Sequence, residues 1–215
     1  MEKISNEKII EQLNWRYAVK KFDAERKISD EDWDTLEHSL TLAPSSYGLQ
    51  PYKFIIVKNQ AIKDKLSQAA YGQTQPSDCS HLVVLAYKKD IKDADVDHYV
   101  ERIATVRNAP KESFKDYEQT MKGQAMKARD EGQIESWNAR QAYIAFGFLL
   151  ETAALLEIDA CPMEGFSVEK ANEILGLEEY SAIALCPLGY RDAGNDWLAN
   201  LPKVRFPKEE LIQTI

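Results

Sequence analysis

The chain has 215 residues, of which 44% are hydrophobic and 29% charged, and its formal net charge is -8 at pH 7. A chain of this length can bury one sizeable core, so we expect a single domain over residues 1–215. The acidic balance, with no basic stripe that carries interleaved aromatics, argues against a nucleic-acid partner. No apolar run approaches the ~20 residues that span a membrane, and no signal-peptide pattern opens the sequence, so a cytoplasmic location is expected.

Apolar spacing predicts helices and strands in order along the chain. Helical spacing covers residues 7–15 and 29–42. Continuous apolar and β-branched runs then predict strands over 52–57, 81–87 and 182–189, and runs of this kind indicate strands that are buried on both faces. Helices are therefore expected to cover both sides of a sheet.

The segment 134–158 has the longest helical pattern in the chain and carries apolar side chains nearly all round. Such a helix is buried, so it is predicted to be a central core helix or a dimer-interface helix. Residues 89–132 are charged and poor in aliphatic side chains, which predicts an outlying helical excursion or lid. The expected fold class is α+β, with a mixed or antiparallel central sheet surrounded by helices.

Several kinds of reactive site are missing from the sequence. The nine glycines form no GxG, which excludes a dinucleotide-binding fingerprint and a Walker loop. The three histidines lie at no metal-ligand spacing and no nucleophile motif is present, so neither a metal site nor a catalytic side chain is predicted. The three cysteines show no CxxC spacing and are expected to be buried thiols. Any redox chemistry must come from a bound cofactor with its own reactive ring.

Two clusters of cationic residues stand far apart in this acidic sequence. One contains Arg16, Lys20 and Lys21, and the other contains Lys203 and Arg205. Guanidinium and ammonium groups match phosphate oxygens, so together the clusters suggest a site for a compact anion. Taken singly, the first cluster is also compatible with a cationic helix C-terminus, and the second with solvated surface charge.

Four short segments, in this order, favour the anion site. They are Arg16-Tyr-Ala-Val-Lys-Lys-Phe22, Pro44-Ser-Ser-Tyr-Gly-Leu-Gln-Pro-Tyr52, Pro162-Met-Glu-Gly-Phe166 and Leu201-Pro-Lys-Val-Arg205. Alone, the Pro-Ser-Ser sequence is compatible with a plain helix stop. Together, the four segments resemble the FMN-binding elements of the nitroreductase family of NAD(P)H-dependent flavoenzymes, and the resemblance spans residues 16–207. It implies a nitroreductase-like fold.

The resemblance also implies roles for individual residues. Arg16, Lys203 and Arg205 are expected to hold the FMN phosphate, and Lys20 to reach the pyrimidine edge of the flavin, where a cation stabilises the anionic reduced ring. A backbone N–H of the Glu164 and Gly165 pair is expected to face the flavin N5 atom, with the Glu164 side chain structural. The rest of the implied cofactor-binding set is Tyr17, Ala18, Pro44, Ser45, Ser46, Gly48, Gln73, Gln75, Pro162 and Met163.

The sequence departs from the family pattern at three positions. Ala18 stands where the family has Ser, and Gly48 and Gly72 stand where it has Asn. Each change removes a side-chain hydrogen-bonding group, so a cofactor that is lost more easily than usual is expected. Gln73 and Gln75 are both candidates to replace a missing contact, because an amide offers a donor and an acceptor.

The function that the resemblance implies is hydride transfer from NAD(P)H through FMN N5 to a nitroaromatic or quinone acceptor, with ping-pong kinetics. Phe114, Tyr117 and Met121 are predicted to form an adaptable apolar lid over the substrate. In the family the Pro-Ser-Ser segment reaches the neighbouring subunit's flavin, which implies a homodimer with shared sites. Two alternatives remain open: a non-catalytic flavin-binding or redox-sensing protein, and a cofactor-free interaction module whose basic clusters are surface charge.

Overall fold

A four-stranded antiparallel sheet lies at the centre of the computed structural model, which describes residues 3–215. Its strands are β1 (Tyr52–Val57), β2 (His81–Lys88), β3 (Asp159–Ala160) and β4 (Tyr180–Gly189), in the order β1-β2-β4-β3. The helices are α1 (Asn6–Trp15), α2 (Asp30–Leu42), α3 (Gln60–Ala69), α4 (Gln75–Asp78), α5 (Asp93–Arg107), α6 (Lys115–Asp130), α7 (Ile134–Leu155), α8 (Val168–Leu175) and α9 (Lys208–Leu211). Short 3-10 turns occupy Ser46–Gly48 and Lys111–Phe114.

Side chains of β2 alternate between two hydrophobic cores. Val83 and Leu85 pack with residues of α2 and α7 on one face of the sheet, whereas Leu82 and Val84 pack with residues of α3 and α8 on the other. All four side chains are fully buried. The expected α+β class, with helices covering an antiparallel sheet, is confirmed. Within residues 3–215, no helix combines the length and the apolar character that a membrane crossing needs.

The predicted strands are present, with small changes. The strand at 52–57 is confirmed at both ends, and the other two extend by one residue at Lys88 and two at Tyr180. β1 is an edge strand, and only Val57 in it is buried, so burial on both faces is wrong for this strand. Strand β3 was not predicted because two residues are too short to show periodicity.

Helix α7 is shorter than predicted and is exposed along one side. It ends at Leu155, because Glu157 adopts a left-handed conformation and Ile158 N–H donates to Ala153 O at 2.8 Å, an arrangement that closes the helix end. Tyr143 and Phe148 are 38% and 42% exposed. Complete burial of this helix is therefore wrong for the isolated chain, which leaves one apolar face uncovered.

The predicted excursion at 89–132 consists of α5, the second 3-10 turn and α6. It encloses a small core of its own, which includes Val96, Val100 and Met121. The Lys122 ammonium binds carboxylates of Asp97 on α5 and Glu118 on α6, at 2.5 and 2.7 Å. The excursion is therefore a packed helical unit. A single domain that includes residues 1 and 2, which lie outside the described residues, stays a prediction.

The ring of His81, at the start of β2, stacks on Trp33 with centroids 4.0 Å apart. Burial, with the nearby Lys63, Lys58 and Lys27 charges, lowers the pKa of His81 from 6.5 to about 4. The folded state thus disfavours the protonated ring, and stability is lost as pH falls from 6.5 towards 4. A shift of this size corresponds to about 3 kcal/mol for an enclosed group, and partial exposure reduces it to roughly half.

We therefore expect the free energy of unfolding of the wild-type protein to fall between pH 6.5 and pH 4 by more than that of a His81→Phe variant. Phenylalanine keeps a ring to stack on Trp33 but has no proton to gain. Urea denaturation at a series of pH values measures the difference. Parallel curves for the two proteins would show that His81 is not the titrating group.

Candidate functional site

Arg16 of the first cationic cluster meets both residues of the second at one cleft of about 560 Å³, between the end of α1 and the C-terminal segment. Lys20 and Lys21 do not line this cleft. Arg16, Lys203 and Arg205 line it together, and Arg191 forms part of its wall. The other described lining residues are Asn14, Trp15, Tyr17, Ala18, Pro162, Leu198, Ala199, Leu201, Pro202 and Val204. None of these residues is acidic. We refer to this cleft as the cationic cleft.

Positive charge in the cationic cleft is only partly compensated. Burial, and then the charge of Arg205, lower the pKa of Arg16. Burial, and then the charges of Arg16 and Arg205, lower the pKa of Lys203. Among residues 3–215, neither Arg16 nor Arg205 forms an ion pair within 4 Å. Three cations held this close, without a carboxylate, form a site that favours an anion.

Lys203 also closes helix α1. Its ammonium donates to Leu13 O at 2.7 Å and to Arg16 O, so it satisfies carbonyls that the helix end leaves free. The alternative in which Arg16, Lys20 and Lys21 serve that purpose is not what the chain uses, because α1 has no basic residue in its last turn. Lys21 instead binds Asp78 at 2.6 Å. Lys203 thus contributes charge to the cleft while two of its protons are engaged.

A buried ion pair stiffens the wall of the cleft. Arg191 binds Asp159, whose side chain is 3% exposed, through several hydrogen bonds of 2.5–3.0 Å. The Arg191 guanidinium lies 4.2 Å from the Trp15 ring centroid and 4.5 Å from that of Tyr17. These contacts fix the residues on both sides of Arg16. Arg191 and Asp159 belong to no motif in the sequence and are joined only by the fold.

Asp196 connects the loop after β4 to the first cationic cluster. The residue is 4% exposed, and its Oδ2 accepts hydrogen bonds from Tyr17 Oη at 2.9 Å, Lys20 N at 2.7 Å and Lys21 N at 3.3 Å. Its Oδ1 accepts from Leu198 N at 2.9 Å. Burial raises the pKa of Asp196, but these donors outweigh burial and the net shift is downward. The carboxylate is therefore held in its charged form.

A second cleft, of about 460 Å³, adjoins the first and shares Pro162 with it. Its wall is mostly apolar and is formed by α7 and the Pro162 segment, with Phe146, Leu150 and Met163 in it. Tyr143 Oη donates a hydrogen bond to Glu164 Oε1. Burial and then this hydrogen bond raise the pKa of Tyr143 to about 12. The first cleft is thus polar and cationic, the second is apolar and aromatic, and the two meet at Pro162.

The segment 162–166 runs beside β4. Both the N–H and the C=O of Met163 pair with Leu185 at 2.9 Å, and the Met163 side chain is 5% exposed. Gln73 Nε2 donates to Gly165 O at 2.9 Å. In the described residues, neither the Glu164 N–H nor the Gly165 N–H donates to protein, so both are free for a ligand. Met163 therefore positions the segment, and its neighbours present the free donors.

Of the two candidate glutamines, Gln73 lies against this segment. A Cβ added to Gly165 would lie 3.4 Å from the Gln73 amide nitrogen, which already donates to Ala70 O at 3.1 Å and to Gly165 O at 2.9 Å. Gln75, at the start of α4, is 6% exposed and makes no side-chain hydrogen bond within the described residues. Which of the two replaces a missing contact stays a prediction.

The Pro-Ser-Ser turn, residues 44–48, lies on α7. Ser46 N–H donates to Gln141 Oε1 at 2.8 Å, and Trp137 Nε1 donates to Ser46 Oγ at 3.3 Å. Among the described residues, no hydrogen bond connects this turn to the cationic cleft. Gln141 is not among the predicted site residues, although a buried amide in an otherwise apolar helix is a usable signal.

Gly48 has a positive φ of 79°, and a Cβ there would lie 2.1 Å from Tyr99 Oη. The excursion therefore fills the space that a side chain at position 48 would take. It also contacts Tyr47, whose O accepts from Tyr117 Oη at 2.9 Å. Of the predicted lid residues, Phe114 and Tyr117 are partly exposed, but Met121 is fully buried in the excursion core. Met121 thus supports the lid from inside and does not face a substrate in this conformation.

Comparison with known proteins agrees with this geometry. Residues 13–190 match the nitroreductase family. A protein of Staphylococcus haemolyticus, provisionally named an NAD(P)H nitroreductase, is 32% identical over 97% of this chain and 98% of its own length. A provisionally named nitroreductase of Bacillus subtilis has the same fold, with a TM-score of 0.86 and 22% identity over 98% and 100% of the two chains. A nitroreductase structure from Exiguobacterium sibiricum, described as a complex with FMN, gives a TM-score of 0.79 and 19% identity over 100% and 99%. The chain belongs to the nitroreductase family.

Proposed function

We propose that the protein is an FMN-dependent oxidoreductase that takes hydride from NAD(P)H and passes it to a nitroaromatic or quinone acceptor. The observation that carries the proposal is the cationic cleft, where Arg16, Lys203 and Arg205 converge without a carboxylate. A relative that covers nearly the whole chain is named an NAD(P)H nitroreductase, and a protein of the same fold is described as an FMN complex.

The paired clefts fit the two ends of FMN. Arg16 and Arg205 would bind the phosphate, because their guanidinium groups are not engaged by acidic side chains among residues 3–215. The apolar second cleft, joined at Pro162, would take the ring system. When bound, FMN supplies the hydride acceptor and donor that no side chain of this protein can supply.

The chain's own groups orient and tune the cofactor. Lys20 would place a positive charge near the pyrimidine edge, which favours the anionic reduced ring and raises the reduction potential. A free backbone N–H of Glu164 or Gly165 would donate to the ring edge, and the hydrogen bond from Gln73 to the Gly165 carbonyl holds this segment in place. Tyr143 keeps the Glu164 carboxylate turned towards α7 through their hydrogen bond.

The protein is proposed to act as a homodimer with shared sites. Tyr143, Ile144 and Phe148 expose an apolar face on α7, which in a monomer would be left in water. The Pro-Ser-Ser turn is anchored on that same helix through Gln141. Association through α7 would therefore carry Ser45 and Ser46 of one chain towards the partner's cofactor, and the excursion residues Phe114 and Tyr117 would shape the acceptor side.

Anaerobic titration tests the proposed activity. The protein purified with FMN should lose its flavin absorbance when NADH or NADPH is added, and regain it when a nitroaromatic or quinone follows. Because both substrates would use one pocket in turn, initial-rate plots at several acceptor concentrations should give parallel lines. A flavin that is bound but not bleached would support a redox-sensing protein, and failure to bind FMN at all would support a cofactor-free interaction module.

A further inference from the structure

We infer that Asp196 is a positioning residue, which holds the backbone of the first cationic segment and so aims Lys20 at the cofactor. This inference rests on the proposed function, because it assigns a role to Asp196 towards bound FMN. Neither the four sequence segments nor their assigned residues include Asp196, which lies in the loop between β4 and the C-terminal Leu201-Pro-Lys-Val-Arg205 segment.

One carboxylate ties the loop after β4 to the first cationic segment. Oδ2 accepts from Lys20 N and from Tyr17 Oη, so it fixes the Lys20 backbone and the Tyr17 side chain on either side of Ala18. Oδ1 accepts from Leu198 N, a local contact that shapes the same loop. The loop and the first cationic segment are far apart in sequence, and Asp196 joins them through one buried side chain.

Burial and charge explain why the group is an aspartate. Its residue is 4% exposed, and a buried carboxylate is costly unless donors surround it. The donors here are two backbone N–H groups of one cationic segment, a phenol and the N–H of Leu198. An alanine would leave these donors without an acceptor, whereas an asparagine would keep an acceptor on one side only.

A role in aiming Lys20 predicts an effect that loop loosening alone would not produce. If Lys20 moves, the reduced flavin loses more stabilisation than the oxidised flavin, because only the reduced ring carries the negative charge that Lys20 meets. A loosened phosphate contact would instead weaken the binding of oxidised and of reduced FMN equally. The ratio of the two affinities, obtained from the midpoint potential of bound and free FMN, separates these effects.

The test compares Asp196→Ala and Asp196→Asn with Asp192→Asn. Asp192 lies in the same loop, and its carboxylate accepts from Asn195 Nδ2 at 2.7 Å, so the control changes the charge equally without touching Tyr17 or Lys20. We expect Asp196→Ala to weaken oxidised FMN binding about tenfold and reduced FMN binding about a hundredfold, with Asp196→Asn between it and the wild type. The affinities of Asp192→Asn for oxidised and for reduced FMN should stay within about twofold of the wild-type values.

A double variant makes the assignment specific. In a Lys20→Met background, Asp196→Asn should weaken the binding of oxidised FMN and of reduced FMN by the same factor, because position 20 then carries no cation. Hydrogen exchange on the apoproteins should show faster exchange in residues 17–21 and 198–205 of Asp196→Asn than of Asp192→Asn. An affinity ratio in Asp196→Asn equal to that of the wild type would overturn the inference. Failure of the wild-type protein to bind FMN would instead overturn the proposed function.

Discussion

Replacement of both Arg16 and Arg205 by Ala is expected to reduce FMN affinity by about a hundred- to ten-thousandfold. Each replacement would remove a charge-assisted contact worth about 1.5–3 kcal/mol. Burial, and then the charge of Arg205, lower the pKa of Arg16, so in the apoprotein the double replacement also removes a repulsion between two cations. Quenching of flavin fluorescence, titrated at one ionic strength, measures the affinity.

Arg26→Ala is the matched control for this prediction. Arg26 lies over the Tyr190 ring at 3.5 Å and lines a neighbouring cleft, so its removal changes the net charge close to the site without entering the cationic cleft. Its FMN affinity should stay near that of the wild type. The wild type should also lose affinity with added salt more steeply than the double variant. Equal FMN affinities for all three proteins would contradict the assignment of the phosphate site.

Much of the fold followed from local patterns, and the rest depended on contacts that no local pattern contains. The continuous apolar run of β1 and the helical apolar spacing of α2 are both local signals, and both elements lie where the sequence predicts them. Strand β3 pairs for two residues only and is defined by β4, not by its own sequence. The sequence left open whether α7 is a core helix or a dimer-interface helix, because apolar residues all round a helix do not indicate which side stays exposed in a single chain.

In the candidate site, too, local sequence patterns predicted some residues, whereas others depend on long-range contacts. The segments that carry Arg16, Pro162 and Arg205 were found in the sequence, and the fold brings these three residues to one cleft. The supporting groups were not found, because Arg191 and Asp196 belong to a loop with no motif and act only through long-range hydrogen bonds. A motif marks residues that face a ligand, whereas their supports can come from any part of the chain.

Gly48 illustrates how a departure from a family pattern is absorbed. Sequence comparison at that position indicates only a lost side chain. The structure shows that Tyr99 Oη, from the excursion, occupies the space, so restoring an asparagine would produce a clash at 2.1 Å from its Cβ. The turn and the excursion are therefore fitted to each other.

If residues of both subunits form each FMN site, two variants that do not bind FMN should regain FMN binding when they are mixed. Ser45→Trp should block the partner's FMN site, because it fills the Pro-Ser-Ser turn while leaving the chain's own cationic cleft unchanged. Arg16→Ala/Arg205→Ala removes the phosphate contacts of its own cleft and keeps a normal turn. In a heterodimer, one site receives both defects and the other receives neither. After subunit exchange, about a quarter of the wild-type FMN capacity should return, since half of the dimers are mixed and each has one intact site.

The controls for this mixing experiment separate sharing from misfolding. Each parent should remain dimeric and melt cooperatively without FMN, because the apolar face of α7 lies outside both substitutions. Added FMN should raise the thermal midpoint of the mixture but not that of either parent, as expected for a ligand that binds only an intact site. Subunit exchange is verified with differently tagged chains. If the exchanged mixture binds no more FMN than its parents, each chain binds its cofactor alone, and the Pro-Ser-Ser turn has only the structural role that its contacts with Gln141 and Trp137 already give it.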